Sequence, residues 1–289
     1  MISRSISHEE YLRRKRNKRL WKFWGTVFVV VFLVGIGSYI SYRKEVRISK
    51  VELTGGILVT QPELESRALE YMQGSYFWLF PKNNILWYPR GGLKIYLKET
   101  FKRIENININ LKDLQTLYVK IEERKPFALW CNQSVVSTTT PATEGQSGDN
   151  KTEDCYFMDQ NSTIFARAPV FSGDAYFKYY GLISPENQSP IGMEYMSNNL
   201  KFGEISDFVQ KAKELSIRPL YLKIKSDDDF SLVLSGGGEV YFNLKESLFI
   251  AGQNLGALLK TSPFASSTGD LPVEYIDLRY GNKLFYKLK

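Results

Sequence analysis

The stretch IENININLKDLQTLYVKIEE, residues 104–123, decides the fold of the first half of the chain. Ile107 and Ile109 alternate with asparagines, and Leu117, Val119 and Ile121 alternate with Tyr118, Lys120 and Glu122. A period of two marks half-buried strands, here joined by the polar turn LKDLQ. Upstream, GGLKIYLKETFKRI (91–104) sets Leu93, Leu97, Phe101 and Ile104 at helical spacing. Before it, SYFWLFPKNNILWYP (75–89) is an aromatic connection expected to be packed rather than exposed. Thr60-x-x-Glu63, with Pro62 in the first turn, reads as a capping box. Leu64, Ala68 and Met72 then share one helix face, and VRISKVELT (46–54) alternates as a strand. The order over 46–123 is therefore strand, helix, helix, strand, strand, a small α+β domain.

From Arg124 onward short strands dominate: FALWC, CYFMD, TIFARA and PVFS. Residues 202–216 predict an amphipathic helix, with Ile205, Phe208, Val209, Ala212 and Leu215 on one face. PLYLKIK, FSLVLS and EVYFNL read as a meander, 246–260 as a second helix, and the remaining strands bend at Gly281-Asn282. Residues 124–289 thus form a mostly antiparallel β domain with two helices, interrupted by the polar insert NQSVVSTTTPATEGQSGDNKTED (132–154). Cys131 and Cys155 flank that insert and are the only cysteines. If their runs pair antiparallel, a disulfide fits at the base of the loop; the alternative is two unrelated buried thiols.

The net charge of +7 sits almost wholly at one end, because residues 1–22 carry eight bases against two acids. Little basic surface remains elsewhere, which argues against a nucleic-acid partner. After the basic tail, FWGTVFVVVFLVGIGSYISY (23–42) is uncharged. As a helix it spans the roughly 30 Å of a bilayer's hydrocarbon. Trp21, Trp24, Tyr39 and Tyr42 lie near its ends, as interfacial rings do. The excess of Lys and Arg before the span predicts a cytoplasmic N-terminus and a plasma-membrane protein with one crossing. Gly37-xxx-Ser41 is read as lipid-facing filler rather than a helix-pairing motif.

Catalytic patterns are missing. The single histidine, His8, belongs to the basic tail, so neither a Ser-His-Asp arrangement nor His-based zinc ligation is expected beyond the span. No cofactor, metal or small-molecule substrate is predicted. Asp227-Asp228-Asp229 reads as a solvated turn. A type II membrane glycosyltransferase would share this topology, and Asn132, Asn150, Asn161 and Asn187 head acceptor triplets, but the βαβ series of a nucleotide-binding sheet is not seen.

Four segments carry a resemblance: the basic tail with its span, ISKVELTGGILVTQPEL, the junction VKIEERKPFALW with YFMDQNSTIFARAP, and EYIDLRYGNKLFYK. In this order they resemble the FtsQ/DivIB cell-division proteins over nearly the whole chain. The insert with its cysteines departs from the family pattern, as does the turn Asn161-Ser162-Thr163, which lacks a glycine. The resemblance implies a POTRA domain at 46–123 followed by the β domain. It also implies a non-catalytic scaffold at the division septum that binds FtsB/DivIC-like and FtsL-like single-pass partners. Tyr280, Asn282, Lys283, Leu284, Phe285, Tyr286 and Leu288 match the family's partner-binding edge. There Lys283, Lys287 and Lys289 would oppose self-pairing and favour an acidic partner. A POTRA-based chaperone or secretion component is a rival, although no barrel-length sequence follows the unit.

Overall fold

Alternation along residues 104–123 is realised as an antiparallel pair, and the rest of the first unit is built on it. The computed structural model describes residues 8–132, 153–171, 175–181, 189–196, 199–215, 217–225, 228–266 and 270–289. The chain divides into two compact units, 1–123 and 124–289.

In the first unit, α1 (His8–Ser41) contains the stretch Lys15–Ser41, long and apolar enough to cross a membrane. It is followed by β1 (Lys50–Thr54), α2 (Gln61–Tyr71), a hairpin of β2 (Ser75–Tyr76) and β3 (Phe80–Pro81), and α3 (Arg90–Thr100). The long strands β4 (Ile104–Leu111) and β5 (Thr116–Glu123) close the unit. The sheet order is β1-β5-β4, with β1 parallel and β4 antiparallel to β5. Register sets Val51 beside Leu117 and Ile109 beside Val119, so their side chains share a face. Leu64, Ala68 and Met72 of the α2 region and Leu93 and Leu97 of α3 complete this core. Polar residues take the opposite face, where Lys112 Nζ lies 2.7 Å from Glu52 Oε2.

Several expectations for this unit change. The first predicted strand begins only at Lys50, because a 3₁₀ turn occupies Lys44–Val46. Thr60 is the N-cap of α2, yet its side chain makes no capping bond. α3 stops at Thr100, and Phe101 and Ile104 are buried beyond it as the chain turns into β4. The aromatic connection is not packed away: Phe77 and Trp78 are 87% and 90% exposed. Ser41 is 4% exposed and its carbonyl accepts from Asn84, so it packs against the unit itself, whereas Gly37 is exposed with the Phe80 ring nearby.

The loop after β1 needs its glycines. Gly55 has φ +88°, and a Cβ there would fall 2.2 Å from the Ile121 carbonyl oxygen. Over this loop Glu123 Oε1 accepts the amides of Ile57, Leu58 and Val59 at 2.7, 2.9 and 2.9 Å. Burial pushes its carboxyl up, but the three amides prevail and hold it below the ordinary glutamate value.

The second unit holds β6 (Ala128–Cys131), β7 (Cys155–Met158), β8 (Ile164–Arg167), β9 (Lys178–Tyr180) and α4 (Asn199–Glu214). Then come β10 (Pro219–Ile224), β11 (Asp229–Leu234), β12 (Glu239–Asn243), α5 (Leu248–Leu258), β13 (Val273–Tyr280) and β14 (Lys283–Leu288). All nine strands form one sheet, ordered β14-β13-β12-β11-β10-β9-β6-β7-β8. It is mostly antiparallel, with parallel pairs at β12/β13, β10/β9 and β6/β9. The parallel neighbours bring together strands distant in sequence, which pattern reading does not register. One face carries Leu222, Phe230, Leu232, Val240, Phe242 and Ile276 against α4 and α5.

The predicted strand at 169–172 is absent over its described part, 169–171, where no ladder partner is found. The sheet uses β9 instead. Cys131 pairs with Cys155 in the β6/β7 ladder, and the two form a disulfide with Cα atoms 4.1 Å apart. Closing a loop of this length is worth about 3 kcal/mol in the chain-entropy model. Most of the insert lies outside the described residues, as do Asn150, Asn187 and Asp227. At the β7–β8 turn Ser162 itself takes the left-handed conformation, φ +63°, and its hydroxyl donates to Met196 O at 3.0 Å.

Candidate functional site

The sequence places an apolar strand with interleaved lysines, KLFYKL, at one end of the nine-stranded sheet. β14 pairs with β13 on one side only. The connecting turn has positive φ at Gly281 (+62°) but not at Asn282, the pattern of a II′ hairpin turn. Asn254 on α5 donates to Gly281 O at 3.0 Å, and Asn243 Nδ2 reaches Arg279 O at 3.4 Å. The turn is thereby anchored to the helix and to the neighbouring strand.

The backbone edge can be read from one bond. Lys289 N–H donates inward to Pro272 O at 3.2 Å. Ladder groups alternate sides along a strand, so Lys287 and Phe285 also bond toward β13. The amides and carbonyls of Leu284, Tyr286 and Leu288 consequently point outward, with no strand beyond them among the described residues. Such a row is a template for one more strand.

Side chains divide between the two faces. Phe285 lies opposite Asp277 and meets the Tyr280 ring edge-on at 5.3 Å. Leu284 packs against the core, and Tyr286 stands edge-on to Phe264 at 5.1 Å. Tyr280, Phe285, Tyr286 and Leu288 remain exposed, Phe285 by 51%. Asn282 is exposed in the turn. The lysines do not act alike. Lys287 Nζ pairs with Glu274 at 2.6 Å, and Lys289 Nζ donates to Gly236 O. Lys283 has no ion-pair partner among the described residues.

Asp277 and Arg279, two apart on β13, form a largely buried ion pair. Asp277 is only 7% exposed and accepts from Arg279 Nε at 2.9 Å and Nη2 at 2.6 Å. A register shift between Asp277 and Tyr280 lets Arg279 reach back to Asp277 and across to Asp229 Oδ2 at 3.3 Å. Burial pushes the Asp277 carboxyl up, but Arg279's side-chain and backbone donors outweigh it and leave the group below its ordinary value. Asp229 is thus the start of β11 and an Arg279 partner, not part of a solvated turn.

This network extends over the sheet face away from the helices. Arg279 lies over the Tyr241 ring at 5.5 Å, with Lys225 Nζ 3.9 Å from the same ring. Tyr241 stacks on Tyr275 at 5.9 Å, and Glu239 accepts from Ser231 at 2.6 Å. Sequence reading missed Asp229, Tyr241 and Glu239, although their alternation with Phe230, Val240 and Phe242 marks them as one face. Near the disulfide, Glu153 accepts from Lys178 at 2.8 Å and from Tyr180. Cys131, Cys155 and Glu153 cluster there, but with both sulfurs bonded to each other they are not thiolate ligands.

No family model matches the chain, and no curated protein matches it either.

Proposed function

We propose that the protein is a membrane-anchored, non-catalytic scaffold of the bacterial division machinery, whose β14 edge accepts a strand from FtsB/DivIC-like and FtsL-like single-pass proteins. In this reading α1 crosses the plasma membrane once with its N-terminus cytoplasmic, and both units work outside at the septum. The first unit, with two helices on one face of a three-stranded sheet, serves as a POTRA-type domain. By binding these partners the protein would link assembly and regulation of septal peptidoglycan synthesis.

One observation carries the proposal. The outer strand of the sheet offers a row of backbone groups with no ladder partner among the described residues, flanked by exposed Tyr280, Phe285, Tyr286 and Leu288. An added strand would gain affinity from those groups and specificity from alternate side chains. The resemblance of the four sequence segments supplies the identity of the partners.

Affinity capture from gently solubilised native membranes tests this, comparing the intact protein with Phe285→Lys. Covering the exposed half of Phe285 buries about 100 Å² and contributes about 2.5 kcal/mol, close to a hundredfold in affinity. Small single-pass coiled-coil proteins should accompany the intact form and vanish with the folded variant. Persistence of the same partners with the variant removes β14 as the site. Their absence from both removes the divisome reading.

A further inference from the structure

We infer that the hairpin bearing Phe77 and Trp78 is a second membrane contact, which lays its aromatic tip, with Leu86 and Trp87, in the interfacial layer beside the C-terminal end of α1. The inference rests on α1 crossing the bilayer, as proposed above, but not on any protein partner.

Its depth follows from bonds to the helix. Ser38 Oγ donates to Leu79 O at 2.7 Å, and Tyr42 OH donates to Trp78 O at 2.9 Å. The Phe80 ring comes within 4.0 Å of the point a Gly37 Cβ would occupy. Gly37 lies four residues before the end of α1, about 6 Å below it along the axis. The hairpin therefore overlaps the last turn of the apolar span, at the level of Tyr39 and Tyr42. Wherever that turn meets lipid headgroups, the hairpin does so too.

Its surface suits that level. Phe77 and Trp78 are 87% and 90% exposed, and Leu79, Leu86 and Trp87 are exposed beside them. Phe80 and Trp87 touch at 5.5 Å and join both segments into one patch. The Leu79 amide closes the turn on Tyr76 O at 3.0 Å, with Phe77 and Trp78 both left-handed at φ 49° and 60°. Glycine or asparagine would enter that conformation with less strain. Two large rings there place apolar surface at the tip of a turn, where water gives no return for it. Basic groups adjoin the patch: Arg43, Lys44 and Arg47 follow α1 directly, Arg47 bonds to Asn83 beyond the hairpin, and Lys82 lies 5.8 Å from the Tyr76 ring. Aromatic tip and basic flank are the pattern of an interfacial anchor. A partner protein would need no such match to the height of α1.

Quenching of tryptophan fluorescence by brominated lipid tests the inference on the full chain. One variant keeps only Trp130 as background, its other tryptophans changed to Phe. Two more restore Trp24 or Trp78, so the hairpin tip is intact in the second. Each is reconstituted in phosphatidylcholine–phosphatidylglycerol vesicles with and without bromine near the top of the acyl chains. The expected result is a Trp78 signal, after subtraction, that is blue-shifted and loses as large a share of its emission as Trp24 does. Quenching of Trp24 with an unquenched Trp78 overturns the hairpin contact, leaves the span standing, and makes a protein the occupant of the patch. If neither is quenched, the crossing and the hairpin contact fall together.

Discussion

Glu123→Gln should destabilise the first unit at neutral pH and not in acid. The carboxylate oxygen holds three backbone amides, those of Ile57, Leu58 and Val59, over the loop after β1. Charge assistance raises a hydrogen bond from about 1 kcal/mol to about 1.5–3 kcal/mol. Two of the amides belong to exposed residues and the three bonds share one acceptor, so their worth does not triple. A loss of about 1 kcal/mol follows for Gln and about 2 kcal/mol for Ala. For a domain of this size each kcal/mol lowers the melting temperature by about 4–8 °C.

The pH dependence has a definite sign. Since the folded carboxyl titrates below its ordinary 4.5, its contribution is complete above that value and disappears as pH falls through the folded value. Thermal unfolding of full-length wild type and Glu123→Gln in detergent, from pH 7 downward, should show a gap that closes in acid. Hydrogen–deuterium exchange on peptides covering 55–60 localises the effect, with faster exchange in the variant at pH 7. Equal melting and equal exchange at pH 7, or a gap that persists unchanged into acid, would refute the argument.

Tyr286→Pro removes an amide that faces outward, whereas Phe285→Pro removes one that bonds to β13. The first should keep the fold yet lose at least about tenfold in partner retention beyond Tyr286→Ala, while the second lowers the melting temperature of the second unit. Arg279→Met strands the buried Asp277. With 31% of the Arg279 side chain in water, the cost should be near the low end for such pairs, about 3 kcal/mol. Adding Asp277→Asn should recover much of that loss in thermal unfolding at pH 7, and no recovery would argue against a buried pair.

Strands with a solvated face were open to sequence reading because alternation is a local signal. Ile107, Ile109, Leu117, Val119 and Ile121 identify β4 and β5 by themselves. β14 was legible from its turn instead, because Gly281-Asn282 lets 283–288 run on as the outermost strand. What escaped depends on neighbours remote along the chain. β9 has three residues and two parallel partners, with no period to detect. The roles of Glu123, Asp229 and Asn254 exist only once a loop or strand has been brought beside them. Phe77 and Trp78 read as packed because hydrophobicity alone does not tell a buried ring from an exposed one. Phe101 and Ile104 continued a helical spacing by coincidence, since the turn into β4 lets them fill the same core.

The three-residue strand β9 also gives the second unit a seam. On one side lie β6, β7 and β8, linked by neighbouring antiparallel pairings, and on the other β10 to β14 form a second block. Among the described strands, Lys178, Tyr179 and Tyr180 join these blocks, through short parallel ladders to Leu129, Trp130 and Cys131 and to Tyr221, Leu222 and Lys223. Parallel pairing must wait for long loops to close, a cost that falls on β12/β13 as well as on β9, so the antiparallel pairs can organise before the sheet is joined. Cooperativity across the sheet then depends on the side chains of Trp130, Tyr179 and Leu222, packed into one core, more than on the few hydrogen bonds between them. A pull applied at the β14 edge, the direction in which an attached partner would draw, meets the β13/β14 ladder first and then β12/β13, which is parallel and as short as the seam itself.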